Sequence, residues 1–173
     1  MVQVQDEHVR AIIEFDPFVQ MDRLDDDAIM ADLEGRTFKK LVYEFPLDGQ
    51  VVQGLSIKGV DAAADAMARQ GYVIREDGIA RVLEPDAAYF TARVSLYRIV
   101  PNRITGELQE VRTRTIIGSK RQPLKMRRKD RSLVDDPFWF EKGSSKALRN
   151  ATSRLISERV KMEIIGRAAK EGA

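Results

Sequence analysis

Seven cations crowd into one short stretch read as a basic loop, Lys120, Arg121, Lys125, Arg127, Arg128, Lys129 and Arg131, with Asp130 the single acidic residue from 120 to 131. Phosphate groups are neutralised by cations held in clusters of this kind. An aromatic triplet follows at Phe138-Trp139-Phe140, and rings of that type can stack on bases once a strand is unpaired. Beyond it, Lys146, Arg149 and Arg154 recur at helical spacing, and Arg93, Arg112 and Arg114 precede the cluster on alternating segments. These residues point to binding the backbone of a nucleic acid. Trp139 has two readings, a base-stacking ring or a core side chain.

The residues that carry reactions are thinly represented. The chain has no cysteine and a single histidine, His8, with no partner near it in sequence, so a Ser-His-Asp arrangement has nothing to build on. Gly143-Ser144-Ser145-Lys146 lacks the spacing and the preceding strand of a phosphate loop. Pro85-Asp86 could open a metal-dependent nuclease motif, but Glu107 and Glu110 are followed two residues later by Gln109 and Arg112, where a lysine is wanted. The triplet Asp25-Asp26-Asp27 is not followed by regular ligand spacing. The expectation is a protein without catalytic residues, metal or cofactor, with a metal-dependent nuclease as the alternative.

The elements that would hold these residues are legible from periodicity. Residues 1–24 are mixed, with Pro17 interrupting Phe15, Phe18 and Met21, and are read as a turn or arm. The triple aspartate suits the positive end of a helix over 28–34, closed by Gly35. Segments 41–45 and 50–57 flank a Pro46-Leu47-Asp48-Gly49 turn and predict a hairpin. The alanine-rich run 59–70 predicts a helix ending at Gly71. Short strands are expected at 72–76 and 79–83, and long ones at 89–100 and 108–118, with Arg93, Arg112 and Arg114 on their more polar faces. After Lys120 the period changes to that of helices. Asp136 and Pro137 are read as a helix start, and Gly143-Ser144-Ser145 as a place where that helix could break or restart. Leu148, Ala151 and Leu155 make an apolar stripe opposite a polar stripe of Lys142, Lys146, Arg149 and Ser153. A last helix, about 158–170, is read as burying Val160, Ile164 and Ile165 or Ala168. The fold class is α+β: an antiparallel β-meander packed with helices and a basic helical C-terminus. Residues 1–40 read as an acidic arm with a short helix, and 41–173 as a single nucleic-acid-binding domain.

Charge is distributed unevenly along the 173 residues. The total is +2, yet residues 1–50 hold 5 Lys and Arg against 12 Asp and Glu, a net of −7, which leaves +9 for the rest. Either the two regions are ordinary solvated faces, or the acidic part contacts basic residues of its own chain or of a neighbouring copy. No apolar run approaches the roughly 18 residues of a membrane span, and the first residues lack the layout of a signal peptide. With no cysteine, a reducing cytoplasmic setting is expected, in the host cell if the gene is carried by a phage.

One stretch resembles a known family. Ser145-Lys146-Ala147-Leu148-Arg149-Asn150-Ala151, with Arg154-Leu155-Ile156, is similar to the Lys-Ala-x-x-(Arg/Thr)-(Asn/Asp)-Ala helix of phage-type single-strand annealing proteins. That superfamily takes in the Erf and RecT groups and the eukaryotic Rad annealing recombinases. Gly54, Leu55, Ser56 and Gly59 lead into the preceding helix in a similar order, and the likeness covers about 41–165. The resemblance implies ATP-independent annealing of complementary strands by a ring or filament of identical subunits. Single-stranded DNA, or alternatively RNA, would lie in a basic groove between the sheet and the last helices. Arg93, Arg112, Arg114 and the 120–131 cluster would then grip phosphates, joined by Lys146, Arg149 and Arg154, while Asn150 would either assist or fix its helix by a local hydrogen bond. The alternatives are a replication protein that coats single strands without annealing them, and a self-assembling virion component.

Overall fold

The computed structural model describes residues 17–47 and 49–171, so the readings of His8, Phe15 and Asp48 fall outside the described residues. A long helix, α1 (Pro17–Leu33), comes first. Pro17 does not interrupt it. It opens the helix, where its missing N–H and fixed φ cost nothing. Asp25-Asp26-Asp27 therefore lie inside the helix and not at its start: Asp25 and Asp26 answer Arg149 and Lys146, while Asp27 is exposed. Gly35, at φ +68°, closes the segment in the left-handed conformation.

Strands β1 (Val42–Leu47) and β2 (Gln50–Leu55) form the expected hairpin, turning at Gly49 with φ +77°. Helix α2 (Ile57–Ala68) follows at once. Its N-cap, Ser56, accepts from the Gly59 amide at 3.2 Å and donates to the Lys40 carbonyl at 2.6 Å. The buried face of α2 (Val60, Ala63, Ala66 and Met67) meets Leu55, Ile156, Val160 and Ile164 in one of two apolar clusters.

The centre of the molecule is a three-stranded antiparallel meander of β3 (Tyr72–Leu83), β4 (Ala87–Pro101) and β5 (Leu108–Pro123), in that spatial order. The two short strands expected at 72–76 and 79–83 are one strand, bulged at Asp77. The third strand is longer than its alternation suggested and carries Lys120 and Arg121, which are therefore strand residues and not part of a loop. The rest of the basic stretch makes a small hairpin of β6 (Lys125–Arg127) and β7 (Leu133–Asp135). Period 3.6 resumes only at α3 (Trp139–Ser153), two residues later than the Asp136-Pro137 signal. Asp136 still serves that start: its carboxylate accepts from the Phe138 amide at 3.0 Å and from Lys142 Nζ at 2.8 Å. The helix runs unbroken through Gly143-Ser144-Ser145. Helix α4 (Glu158–Glu171) ends the described chain.

Helix α3 lies against β4 and β5, where Ala88, Phe90, Ala92 and Val94 meet Ala147, Ala151 and Leu155 in the second cluster. Two glycines permit the close approach. A Cβ on Gly118 would run into the α3 backbone at Ala147 and Ala151, and one on Gly143 would run into the Phe90 ring. The four described helices and antiparallel sheets make an α+β fold, and no described helix is long and apolar enough to cross a membrane.

Candidate nucleic-acid interface

Register decides which side chains share a face, because residues directly opposite on neighbouring strands point the same way. Between β4 and β5 the pairs Tyr89↔Arg121, Thr91↔Ser119, Arg93↔Ile117 and Ser95↔Thr115 lie on one face, and Phe90↔Lys120, Ala92↔Gly118 and Val94↔Ile116 on the other. The second face is the one α3 covers. No described element lies over the first. There Arg93, Thr91 and Ser119 are exposed, as are Val82, Tyr89 and Ile117.

A bulge changes what the alternation implied for the arginines. The register steps from Leu96↔Arg114 to Tyr97↔Arg112, leaving Thr113 without an opposite residue. Arg112 thus joins Arg93 and Arg121 on the open face beside Tyr97. Arg114, also exposed, lies with Leu96 on the other side. On β4 and β5 the open face carries cations at Arg112, Arg93 and Arg121, with Arg75 beside them on β3. Arg112 and Arg121 are nine residues apart on β5, about 30 Å at strand rise.

Arg121 is held in place. It donates to the Tyr89 hydroxyl at 3.2 Å and to Asp86 at 2.9 Å, with its guanidinium carbon 5.9 Å from the centre of the Tyr89 ring. Arg93 and Arg112 have no ion-pair partner among the described residues. Arg75, on the same face, is neutralised by Glu110, whose carboxyl its hydrogen bonds hold below the usual range. In mid-face Ser95 is fully buried, donating to Asp77 and sharing a 2.8 Å hydrogen bond with Thr115.

The β6–β7 hairpin leaves the end of β5 nearest Arg121, anchored by the Leu124 amide on the Asp86 carbonyl and the Asp136 amide on the Leu124 carbonyl. Lys125, Arg127, Arg128, Lys129 and Arg131 are all exposed on it. Asp130 does not neutralise them. Its carboxylate accepts from the Ser132 hydroxyl at 2.6 Å and amide at 2.9 Å, bonds that keep its carboxyl below the ordinary value and shape the tip. Arg131 takes φ +70° there, and the Arg131 amide donates to the Arg128 carbonyl at 2.9 Å.

The cations of α3 are placed otherwise than the polar stripe implied. Lys146 is 2% exposed and Arg149 9%, because α1 packs over them. Lys146 Nζ lies 2.7 Å from Asp26, and Arg149 meets Asp25 at 2.5 Å. Lys120 is drawn to the same side, 2.5 and 2.7 Å from the two oxygens of Asp22. The polar stripe of Lys146 and Arg149 is thus closed off by α1 and does not face solvent. Arg154 is exposed, but donates at 2.6 Å to the Ile117 carbonyl on the outer edge of β5. Asn150 donates to the next outward carbonyl, Ser119, at 2.9 Å, so it fixes its helix to the strand.

Trp139 packs. Its ring centre is 5.9 Å from that of Phe90 and 5.9 Å from that of Phe140, and the Arg81 guanidinium carbon lies 5.6 Å from it. The rings on the open face are instead Tyr89 and Tyr97, which sequence reasoning placed on the strand without assigning them a role. The available signal was their period-two alternation with Arg93.

A depression between α1, α2 and α3 is lined by Asp32, Asp61, Glu76 and Glu141 around Arg149. Among the described residues no three carboxylate or imidazole groups converge where one metal ion could bind. No protein-family model matches the chain, and no curated protein matches it in sequence.

Proposed function

We propose that this protein binds single-stranded DNA through the open face of the β3-β4-β5 sheet and the β6–β7 hairpin, and that it anneals complementary strands without ATP. One observation carries the reading. Arg112, Arg93 and Arg121 form a row beside Tyr97 and Tyr89 on an uncovered face, and five exposed hairpin cations continue it. Guanidinium groups neutralise phosphates, and tyrosine rings offer any base a stacking surface. A shallow depression beside Arg93, lined by Asp77, Thr91 and Ile117, is the concavity on this face; contact of the cations with the backbone phosphates leaves base edges free to pair. The similarity of the Ser145–Ala151 motif to annealing recombinases supports the activity, while the groove it implies lies on the α3 side of the sheet; a cysteine-free composition suits a reducing cytoplasm.

The same reading includes self-association. No described strand pairs with the outer edge of β3, a twelve-residue strand with Ile79, Val82 and Leu83 exposed. Such an edge is a template for pairing with another strand. The test is a pair of measurements on purified protein: binding of a labelled thirty-nucleotide oligo-dT at several salt concentrations, and the rate at which two complementary oligonucleotides pair. Salt-sensitive binding with accelerated pairing supports the whole proposal. Binding without acceleration would reduce it to a coating protein, and no binding would remove it.

A further inference from the structure

The carboxylates of α1 lie where a polyanion would. Lys120 projects from β5, and Lys146 and Arg149 stand one turn apart on α3, three cations on one surface. Asp22 meets Lys120 at 2.5 Å and Lys146 at 3.9 Å, Asp26 meets Lys146 at 2.7 Å, and Asp25 meets Arg149 at 2.5 Å. The two ends of this contact differ. Asp25 is fully buried and also accepts from the Ile57 amide at 3.1 Å, so it anchors the helix. The side chains of Asp22 and Asp26 remain about one-third exposed.

We propose that α1 occupies a second, latent polyanion groove, and that single-stranded DNA displaces it so that phosphates replace Asp22 and Asp26 on Lys120 and Lys146. The inference rests on the single-strand-binding reading and adds a regulated site to it, on the side of β5 opposite the open face. Three observations support it. A lysine as closed as Lys146 is expensive to keep desolvated unless its partners are close, and its nearest carboxylates come from α1 alone. Burial pushes the Asp25 carboxyl above its ordinary value despite Arg149, so docking carries a desolvation penalty that release removes. Among the apolar side chains of α1, Ala28, Ile29 and Ala31 are buried, whereas Leu33 is 50% exposed. With α1 displaced, the groove would continue to exposed Arg154 along the edge of β5. Phosphate oxygens can take over each cation, and the freed aspartates regain water.

Amide hydrogen exchange of the full chain, with and without saturating oligo-dT of thirty nucleotides, reads the displacement directly. Exchange over 18–33 is expected to rise at least tenfold on adding DNA while α3 keeps its protection. In parallel, Asp22→Asn/Asp26→Asn is expected to bind at least threefold tighter than the charge-matched Asp27→Asn/Glu34→Gln. Its salt slope is expected to be steeper by up to about 1.4, at roughly 0.7 for each lysine engaged. Binding with unchanged protection over 18–33, and no gain of the first variant over the second, would overturn the inference and leave the open-face reading standing. Absence of binding by every form would overturn both. Binding by the Asp22→Asn/Asp26→Asn variant alone would support the latent groove while removing the open face as the primary site.

Discussion

Replacing Arg149 with Met separates a structural cation from a surface one. The side chain is 9% exposed and its charge faces Asp25, which is fully buried and held to the Ile57 amide. Removing one member of a buried pair leaves the other charged and desolvated, at a cost of about 3–5 kcal/mol. In a domain of this size each kcal/mol moves the melting temperature by about 2–4 °C, so a fall of about 6–20 °C is expected. The pH dependence gives the sign a second check. Burial already raises the Asp25 carboxyl above 3.8, and loss of Arg149 raises it further. The folded state then binds the proton more readily than the unfolded chain. This contribution to stability declines as pH rises from 3.8 through the folded pKa, and it is present in full below 3.8. The deficit of Arg149→Met is therefore expected to be larger at pH 8 than at pH 5. Adding Asp25→Asn keeps an acceptor for the Ile57 amide and removes the stranded charge, so the double variant is expected to recover part of the loss. Differential scanning calorimetry at the two pH values measures all of this. An Arg149→Met melting temperature within about 2 °C of wild type at both would refute the buried-pair account.

Gly118→Ala is expected to destabilise by about 1–3 kcal/mol or more, since the added methyl meets the α3 backbone and not a flexible side chain; chemical denaturation checks it. Arg93→Ala/Arg112→Ala is expected to weaken oligo-dT binding with little change in melting temperature, because exposed charges contribute about 1 kcal/mol or less. Arg114→Ala, on the other side of the sheet, is expected to matter less for binding, and fluorescence anisotropy on both variants compares them. Trp139→Ala is expected to lower stability through the lost packing on Phe90, by less than the cost of about 3–5 kcal/mol for a fully buried ring, because Trp139 is partly exposed. Tyr89→Ala is expected to lower affinity by about 1–3 kcal/mol with the fold intact.

The β1–β2 hairpin, the α2 helix and the alternation of β4 were legible because each is written in local signals: turn residues, a cap and a period. What escaped depended on partners distant in sequence. The aspartates of α1 fit a helix start by dipole arguments, and only the cations of α3 and β5, about a hundred residues later, account for their position within it. Lys142, Lys146 and Arg149 have the spacing of a solvated stripe, and sequence cannot show that Asp136 and α1 close over them. The bulge at Thr113 leaves no mark in an Arg-Thr-Arg run, yet it separates Arg112 from Arg114. Lys120 to Lys125 looked like a loop because Gly118 and the following polar residues dilute the alternation. That glycine belongs to the strand, where it admits α3. For the candidate site, residue types identified the cations, and register determined which of them share a face.

The most direct test of the central claim is the salt dependence of oligo-dT binding by Arg127→Ala/Arg128→Ala/Lys129→Ala, a variant in which three exposed hairpin cations are removed and no described ion pair is broken. Each phosphate neutralised on a single strand contributes roughly 0.7 to the slope of log K against log salt. Engagement of all three therefore flattens that slope by up to about 2, weakens oligo-dT and mixed sequences alike, and slows annealing while the melting temperature holds. A triple variant that binds and anneals with unchanged affinity and unchanged slope would contradict the account, leaving the hairpin a solvated surface.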